Sequence, residues 1–126
     1  GRKAKDSLDR IFDGVEKVSS VRLFYVPTAH DQHVTYYRFR ASPETIAAFV
    51  EVNRLEPLAD PERDSTSFAA GGLFFAHLDE TPPRWWIEAK DLKGNRILST
   101  KITITSEAYF FYNEETMTAY IIRERL

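Results

Sequence analysis

The chain has 126 residues and nearly balanced charge, with 17 basic and 19 acidic side chains and a formal net charge of −2. A chain of this length folds as one domain that buries roughly two-thirds of its unfolded surface, so it needs neither disulfides nor a metal for stability. The absence of cysteine excludes thiol catalysis, thiolate metal sites and iron–sulfur clusters. The near-neutral charge disfavours extended polyanions such as nucleic acids, and no apolar run approaches the roughly 20 residues that span a membrane.

An amphipathic helix is predicted over residues 4–18. Charged residues there separate apolar side chains at helical intervals, although Gly14 weakens the helix. The apolar positions are Leu8, Ile11, Phe12, Val15 and Val18.

A hairpin and a second helix follow. Residues 21–26 and 33–40 are rich in β-branched and aromatic side chains, and a polar stretch separates them, which predicts two paired strands. Ser42 can then accept an unpaired backbone N–H, and Pro43 has a φ angle suited to the first helical position. We therefore expect a helix near residues 43–55.

The segment 57–83 is irregular, because its prolines bracket a charged run and a Gly-Gly pair. Within it, residues 68–78 are expected to form a short strand, a helical turn or a flap. Trp85 and Trp86 then open a strand or a buried corner. Adjacent rings on a strand point to opposite faces, so one ring belongs in the core and the other is a lid or contact residue.

The C-terminal third predicts three strands. Residues 97–105 alternate, with Leu98, Ile102 and Ile104 on one face, and residues 108–112 and 117–124 form a hairpin with its turn at 113–116. The chain is thus predicted to be one α+β domain, residues 1–126, with an antiparallel sheet of about five strands. The N-terminal helix and the helix near 43–55 pack on this sheet. The aromatic strands suit a sheet covered on both faces, by helices on one side and the long segment on the other, or a face that binds a protein.

The sequence carries no catalytic or metal-binding motif. His30 and His33 lie near one turn and supply at most two ligands, so a metal site forms only if the long segment brings His77 and Asp79 beside them. A nucleophile elbow, a phosphate-binding glycine loop and a convergent carboxylate pair are also missing. These observations favour a domain without catalytic residues, metal or cofactor.

The segment 36–40 is the most suggestive of binding. On a strand Tyr36, Arg38 and Arg40 share one face, which places an aromatic ring beside two cations that could stack bases or bind an acidic partner. The alternative is that the arginine stems cover the sheet and pair with acidic residues of a neighbouring strand. Tyrosine and tryptophan are also enriched at protein interfaces. The expected binding residues are Tyr36, Arg38, Arg40, Trp85 and Trp86.

Three stretches together resemble small uncharacterised bacterial exported proteins or lipoproteins: residues 36–44, the Pro-Pro-Arg-Trp-Trp element at 82–86 and the aromatic hairpin turning at 113–116. The resemblance covers roughly the last two-thirds of the chain and carries over no functional residue. It implies a periplasmic or cell-envelope location, with a signal peptide or a lipid-anchoring cysteine upstream of Gly1. The start at Gly1 fits a removed leader, prosegment or domain, or a cloning remnant.

We therefore expect a non-enzymatic exported or envelope-associated domain that binds another protein. One alternative is a small-molecule-binding or catalytic cone-like α+β domain, with a pocket roofed by residues 68–78 and His77 or Asp79 inside it. Another is a cytoplasmic nucleic-acid-binding domain that uses the arginine face and shows steep salt dependence.

Overall fold

A six-stranded antiparallel sheet is the centre of the computed structural model, which describes residues 2–27, 33–58, 68–69, 82–92 and 97–125. The strand order is β1-β2-β6-β5-β4-β3. This confirms the predicted α+β arrangement, and the sixth strand is a two-residue edge strand that the sequence pattern did not indicate. The elements in chain order are α1 (Arg2–Ile11), β1 (Ser19–Pro27), β2 (His33–Arg40), α2 (Pro43–Val52), β3 (Glu56–Pro57), α3 (Ala89–Leu92), β4 (Leu98–Thr103), β5 (Ser106–Asn113) and β6 (Thr118–Arg125).

Helices α1 and α2 cover one face of the sheet. The Phe49 ring of α2 is central to this layer, with ring centroids of Phe12, Phe39 and Phe110 at 5.5, 5.8 and 5.7 Å. Helix α2 begins as predicted, since the Ser42 side chain accepts a hydrogen bond from the backbone N–H of Thr45 at 3.2 Å. None of the described helices has the length and apolar character required to cross a membrane.

The predicted extent of α1 was wrong, because the helix ends at Ile11 and not at residue 18. Gly14 has a φ angle of +76°, a left-handed conformation that ends an α-helix. The chain turns there, so the apolar side chains beyond the helix still reach the core by a different path. These buried side chains are Phe12, Val15 and Val18.

A second apolar cluster covers the opposite face, so the sheet is covered on both sides as predicted. Trp86 lies at its centre, and its indole N–H donates a hydrogen bond to the backbone carbonyl of Phe68 at 2.9 Å. Residues 84–86 form a turn and not a strand, which makes this segment the buried corner of the two predicted alternatives. Most of the irregular segment 57–83 lies outside the described residues, but Phe68 and Ala69 have helical backbone.

The C-terminal hairpin forms as predicted, with β5 and β6 paired from Ser106 and Arg125 to Asn113 and Thr118. The prediction for Ile104 was wrong, because its side chain is 99% exposed. Thr103 already pairs with Ser106, so residues 104 and 105 form the turn between β4 and β5, and Ile104 has no sheet face to join.

Candidate functional site

Strand β2 places its arginines on the face opposite the two helices. Tyr37 and Phe39 pack toward α1 and α2, whereas Tyr36, Arg38 and Arg40 lie on the other side, as the alternation predicts.

The strand register fixes the neighbours of these arginines. Arg38 lies between Arg22 of β1 and Tyr120 of β6. Arg40 lies between Ser19 and Thr118. Directly opposed residues share a face of an antiparallel sheet, so three arginines come together at one end of this face.

Beside the arginines is an open cleft of about 460 Å³. Its lining offers two guanidinium groups and several hydroxyl groups, all of which can donate hydrogen bonds. The lining residues are Ser20, Arg38, Arg40, Thr116, Thr118 and Tyr120.

Backbone strain occurs beside this cleft. Ser20 has a φ angle of 54°, and Met117, between two lining threonines, has a φ angle of 50°. A non-glycine residue in this region costs about 1–2 kcal/mol. Such strain tends to cluster at functional sites, which supports the choice of this cleft as the candidate site.

Arg38 is held by Trp85. Its guanidinium carbon lies 5.6 Å from the centroid of the Trp85 ring, and its Nη1 donates a hydrogen bond to the Trp85 carbonyl at 3.2 Å. A cation over an indole ring gains about 0.5–1 kcal/mol at a partly exposed position. These two contacts hold the side chain in place but use only part of its five donors, so others can reach a ligand.

The arginines lack the acidic strand neighbours that one interpretation of the sequence expected. Their opposed residues are serine, threonine, tyrosine and arginine. The ion pair that the structure shows among its described residues joins Lys90 to Glu88 at 3.2 Å, away from the cleft lining. Within the described part of the chain, neither Arg38 nor Arg40 forms a salt bridge, although Asp91 of α3 is near enough to raise the pKa of the neighbouring Tyr120.

Tyr36 and Trp86 lie behind the cleft and not on its surface. Both are almost fully buried, with ring centroids 5.1 Å apart. Trp86 also meets the Tyr120 ring edge-on at 5.4 Å and the Trp85 ring at 6.1 Å. Of the five predicted binding residues, Arg38, Arg40 and Trp85 are thus accessible, while Tyr36 and Trp86 support the residues in front of them.

The sequence reasoning missed four residues of the lining. Thr118 and Tyr120 alternate on β6 and could have been placed on one face, but only the pairing of β2 with β6 puts that face beside the arginines. Ser20 lies at the start of β1, which the sequence pattern placed from residue 21, and Thr116 lies in the predicted turn, whose position beside the arginines depends on the same pairing of β2 with β6.

Tyr120 is a hydrogen-bond donor to the cleft. Burial raises the pKa of its hydroxyl above the ordinary value of 10.0, the Asp91 carboxylate raises it further, and the charge and hydrogen bond of Arg38 offset part of that rise. The Tyr120 phenol is therefore protonated throughout the physiological pH range and can donate to an anion but carries no negative charge itself.

The histidines do not form a metal site in the part of the chain that the structure describes, where no three metal-ligating side chains converge. His33 begins β2 beside the Tyr25 ring. Burial lowers its pKa, with smaller contributions from Arg123 and Arg125, so the imidazole is neutral at pH 7. The other residues of the hypothetical site, His30, His77 and Asp79, lie outside the described residues.

Comparison with known proteins does not test the resemblance to exported bacterial proteins. No protein-family model matches this chain, and neither a curated protein nor a solved structure shows significant similarity to it.

Proposed function

We propose that this domain is not an enzyme and binds another protein, through carboxylates that the partner places in the cleft beside Arg38 and Arg40. The observation that carries the proposal is the pair of guanidinium groups without a described carboxylate partner, in a cleft lined by hydroxyl donors. Guanidinium groups match the planar geometry of a carboxylate, and the hydroxyl groups of the lining can also donate to it.

The cleft is partly ordered before any partner arrives. Trp85 holds Arg38 through the ring and through its carbonyl, and Trp86 packs behind Trp85 and Tyr120. Because these side chains lose little freedom on binding, more of the interaction energy contributes to affinity. This arrangement supports a recognition site better than a flexible patch of surface arginines would.

Charge reversal tests the proposal. The wild-type domain, Arg38→Glu and Arg2→Glu are used as baits for nuclease-treated extracts of the source cells, and bound proteins are quantified by mass spectrometry. Arg2 is exposed on α1, which packs on the other face of the sheet, so Arg2→Glu changes the net charge equally without altering the cleft.

We expect a saturable protein partner that binds the wild type and Arg2→Glu and is depleted at least tenfold with Arg38→Glu. Identical sets of proteins on all three baits would refute binding through this cleft. In a separate assay with purified RNA, retention of single-stranded RNA at low salt by the wild type and Arg2→Glu but not by Arg38→Glu would instead support the nucleic-acid alternative.

Binding of a small anion is the second candidate, favoured by the size of the cleft. A volume of about 460 Å³ falls in the range of small-molecule sites. Isothermal titration with succinate, citrate and inorganic phosphate would separate the two functions, because a protein-binding cleft should hold these free anions only weakly. Submicromolar affinity for one of them would favour the small-molecule function.

The location of the domain is a further part of the proposal. The resemblance to exported bacterial proteins supports the periplasm or the cell envelope. Fractionation of the source cells with an antibody to this domain tests it, and recovery of the protein in the cytoplasmic fraction would contradict it.

A further inference from the structure

Strand β1 is the long edge of the sheet. Among the described residues it pairs with β2 alone, whereas the opposite edge, β3, has two residues and ends in proline. Strand β1 contains a register shift between Ser19 and Arg22, and the register is regular from Arg22 onward. The five residues 22–26 therefore form a flat edge about 17 Å long that can accept a further strand.

The side chains along this edge are unusual for a surface. The adjacent aromatic rings of Phe24 and Tyr25 are 39% and 51% exposed. Natural edge strands are protected by charge, a bulge or proline, and β1 has these only at its ends, where Arg22, the register shift before it and Pro27 lie. Since Arg22 is opposed to Arg38, the cationic side of the cleft extends to the edge itself.

We propose that the partner's acidic segment binds as an added β-strand on residues 22–26 of β1. Main-chain hydrogen bonds to the edge supply the strand pairing, and a carboxylate on the cleft side of the segment meets Arg22, which is directly opposed to it in the added strand. An apolar side chain two residues further along covers Phe24, because alternate residues of a strand share a face. This inference rests on the proposed function and specifies how the partner is held.

Charge favours an acidic segment over a second copy of the chain. Pairing two β1 strands would bring two sets of Arg22, Arg38 and Arg40 into one continuous sheet, with no acidic side chain in either β1. An acidic strand from another protein meets the same edge with opposite charge.

The probe is a seven-residue peptide, acetyl-Thr-Glu-Thr-Phe-Thr-Glu-Thr-amide, with both glutamates and the phenylalanine on one face. In an added strand, alternate N–H groups point to the edge and the others to solvent. Two further peptides therefore carry backbone N-methyl groups. The first is methylated at both glutamates and at the phenylalanine, and the second is methylated at the threonines between them. Binding is followed by ¹⁵N-resolved NMR and by amide hydrogen exchange of the domain.

Strand addition predicts slower exchange within residues 22–26 and at least a tenfold loss of affinity for one of the two methylated peptides only. It also predicts that Arg22→Glu weakens the parent peptide at least tenfold and that Arg2→Glu does not. Replacement of both glutamates by glutamine should have the effect of Arg22→Glu.

Three results would overturn the inference. If binding depends on Arg38 but both methylated peptides bind equally and β1 exchange is unchanged, the cleft takes carboxylates without strand addition and the proposed function stands. If no peptide binds at millimolar concentration, strand addition of an acidic segment is wrong. If the free domain sediments as a dimer that Phe24→Glu dissociates, a second copy occupies the edge.

Discussion

Gly14 determines how the chain leaves α1. Its φ angle of +76° is strained for any other residue except asparagine or aspartate, and an added Cβ would lie 3.2 Å from Cγ1 of Val52 in α2. The segment that follows α1 therefore approaches α2 closely at Gly14, and an added Cβ would have to displace the Val52 side chain slightly.

We predict that Gly14→Ala lowers the free energy of unfolding by about 1–2 kcal/mol, because the substitution adds both the φ strain and the contact with Val52. Urea denaturation at neutral pH measures the loss. Val52→Ala removes the contact but not the φ strain. In a double-mutant cycle, Gly14→Ala should therefore cost less free energy of unfolding in the Val52→Ala background than in the wild type. An unchanged free energy in Gly14→Ala would contradict the strain argument.

Met117 is the opposite case, since here the strained position is occupied by a large side chain. It ends the turn between β5 and β6 at a φ of 50°, and its side chain is exposed. Met117→Gly should raise the free energy of unfolding by about 0.5–1 kcal/mol, because glycine adopts this conformation without steric cost. Thermal denaturation checks the gain. Met117→Ala retains the strain and should show no comparable increase; a gain of the same size there would point to the side chain and not to φ.

At the scale of elements, β2 connects the two layers. Tyr36 and Tyr37 are neighbours in the chain, yet one packs against Trp86 and the other donates to or accepts from the Ser7 hydroxyl of α1 at 2.8 Å. Burial raises the pKa of Tyr37, and the Ser7 hydrogen bond and Arg123 reduce that rise. The neutral phenol is thus part of how α1 attaches to the sheet.

The raised pKa gives the attachment a pH dependence. Its stabilisation is complete below the ordinary tyrosine pKa of 10.0 and is lost as pH rises through the higher value of the folded state. Tyr37→Phe should cost about 1 kcal/mol at pH 7 through the lost hydrogen bond, and should make the fall in stability above pH 10 shallower. Urea titrations at pH 7, 9 and 10.5 measure both effects. Tyr25→Phe, on an exposed ring, should leave the stability at pH 7 unchanged. A parallel alkaline fall in wild type and Tyr37→Phe would contradict the prediction.

Elements with local signals were predictable from sequence. The Ser42 cap located the start of α2, and the turn at 113–116 located the C-terminal hairpin. The predicted helix α1 was too long because Phe12, Val15 and Val18 continue the helical spacing beyond Ile11, although the left-handed backbone at Gly14 does not continue the helix.

The candidate site was only half predictable, for a different reason. Alternation on β2 correctly put Arg38 and Arg40 on one face. Which strand lies beside β2 is a long-range property, and the partner β6 comes from nearly eighty residues later in the chain. Thr118 and Tyr120 therefore could not be assigned to the cleft, and Trp86 could not be recognised as its support.

At the scale of the whole molecule, one sheet separates two apolar clusters, with both tryptophans on the side away from α1 and α2. Both clusters include residues of β2, β5 and β6, so neither can lose its strands without disrupting the other. The described residues should unfold as one cooperative unit.

Tryptophan fluorescence tests this cooperativity. Phe49→Leu removes packing on the helix side, far from either indole, and should lower the free energy of unfolding by about 1–2 kcal/mol. Far-UV circular dichroism and fluorescence should report the same lowered midpoint. A fluorescence midpoint that stays at the wild-type value would show that the two sides unfold separately. Val52→Ala, at an exposed helix position, provides the control with little expected shift.

The two edges of the described sheet differ in length, because β1 has nine residues and β3 has two. The strand addition proposed above would therefore enlarge the described sheet at its β1 edge, from six strands to seven.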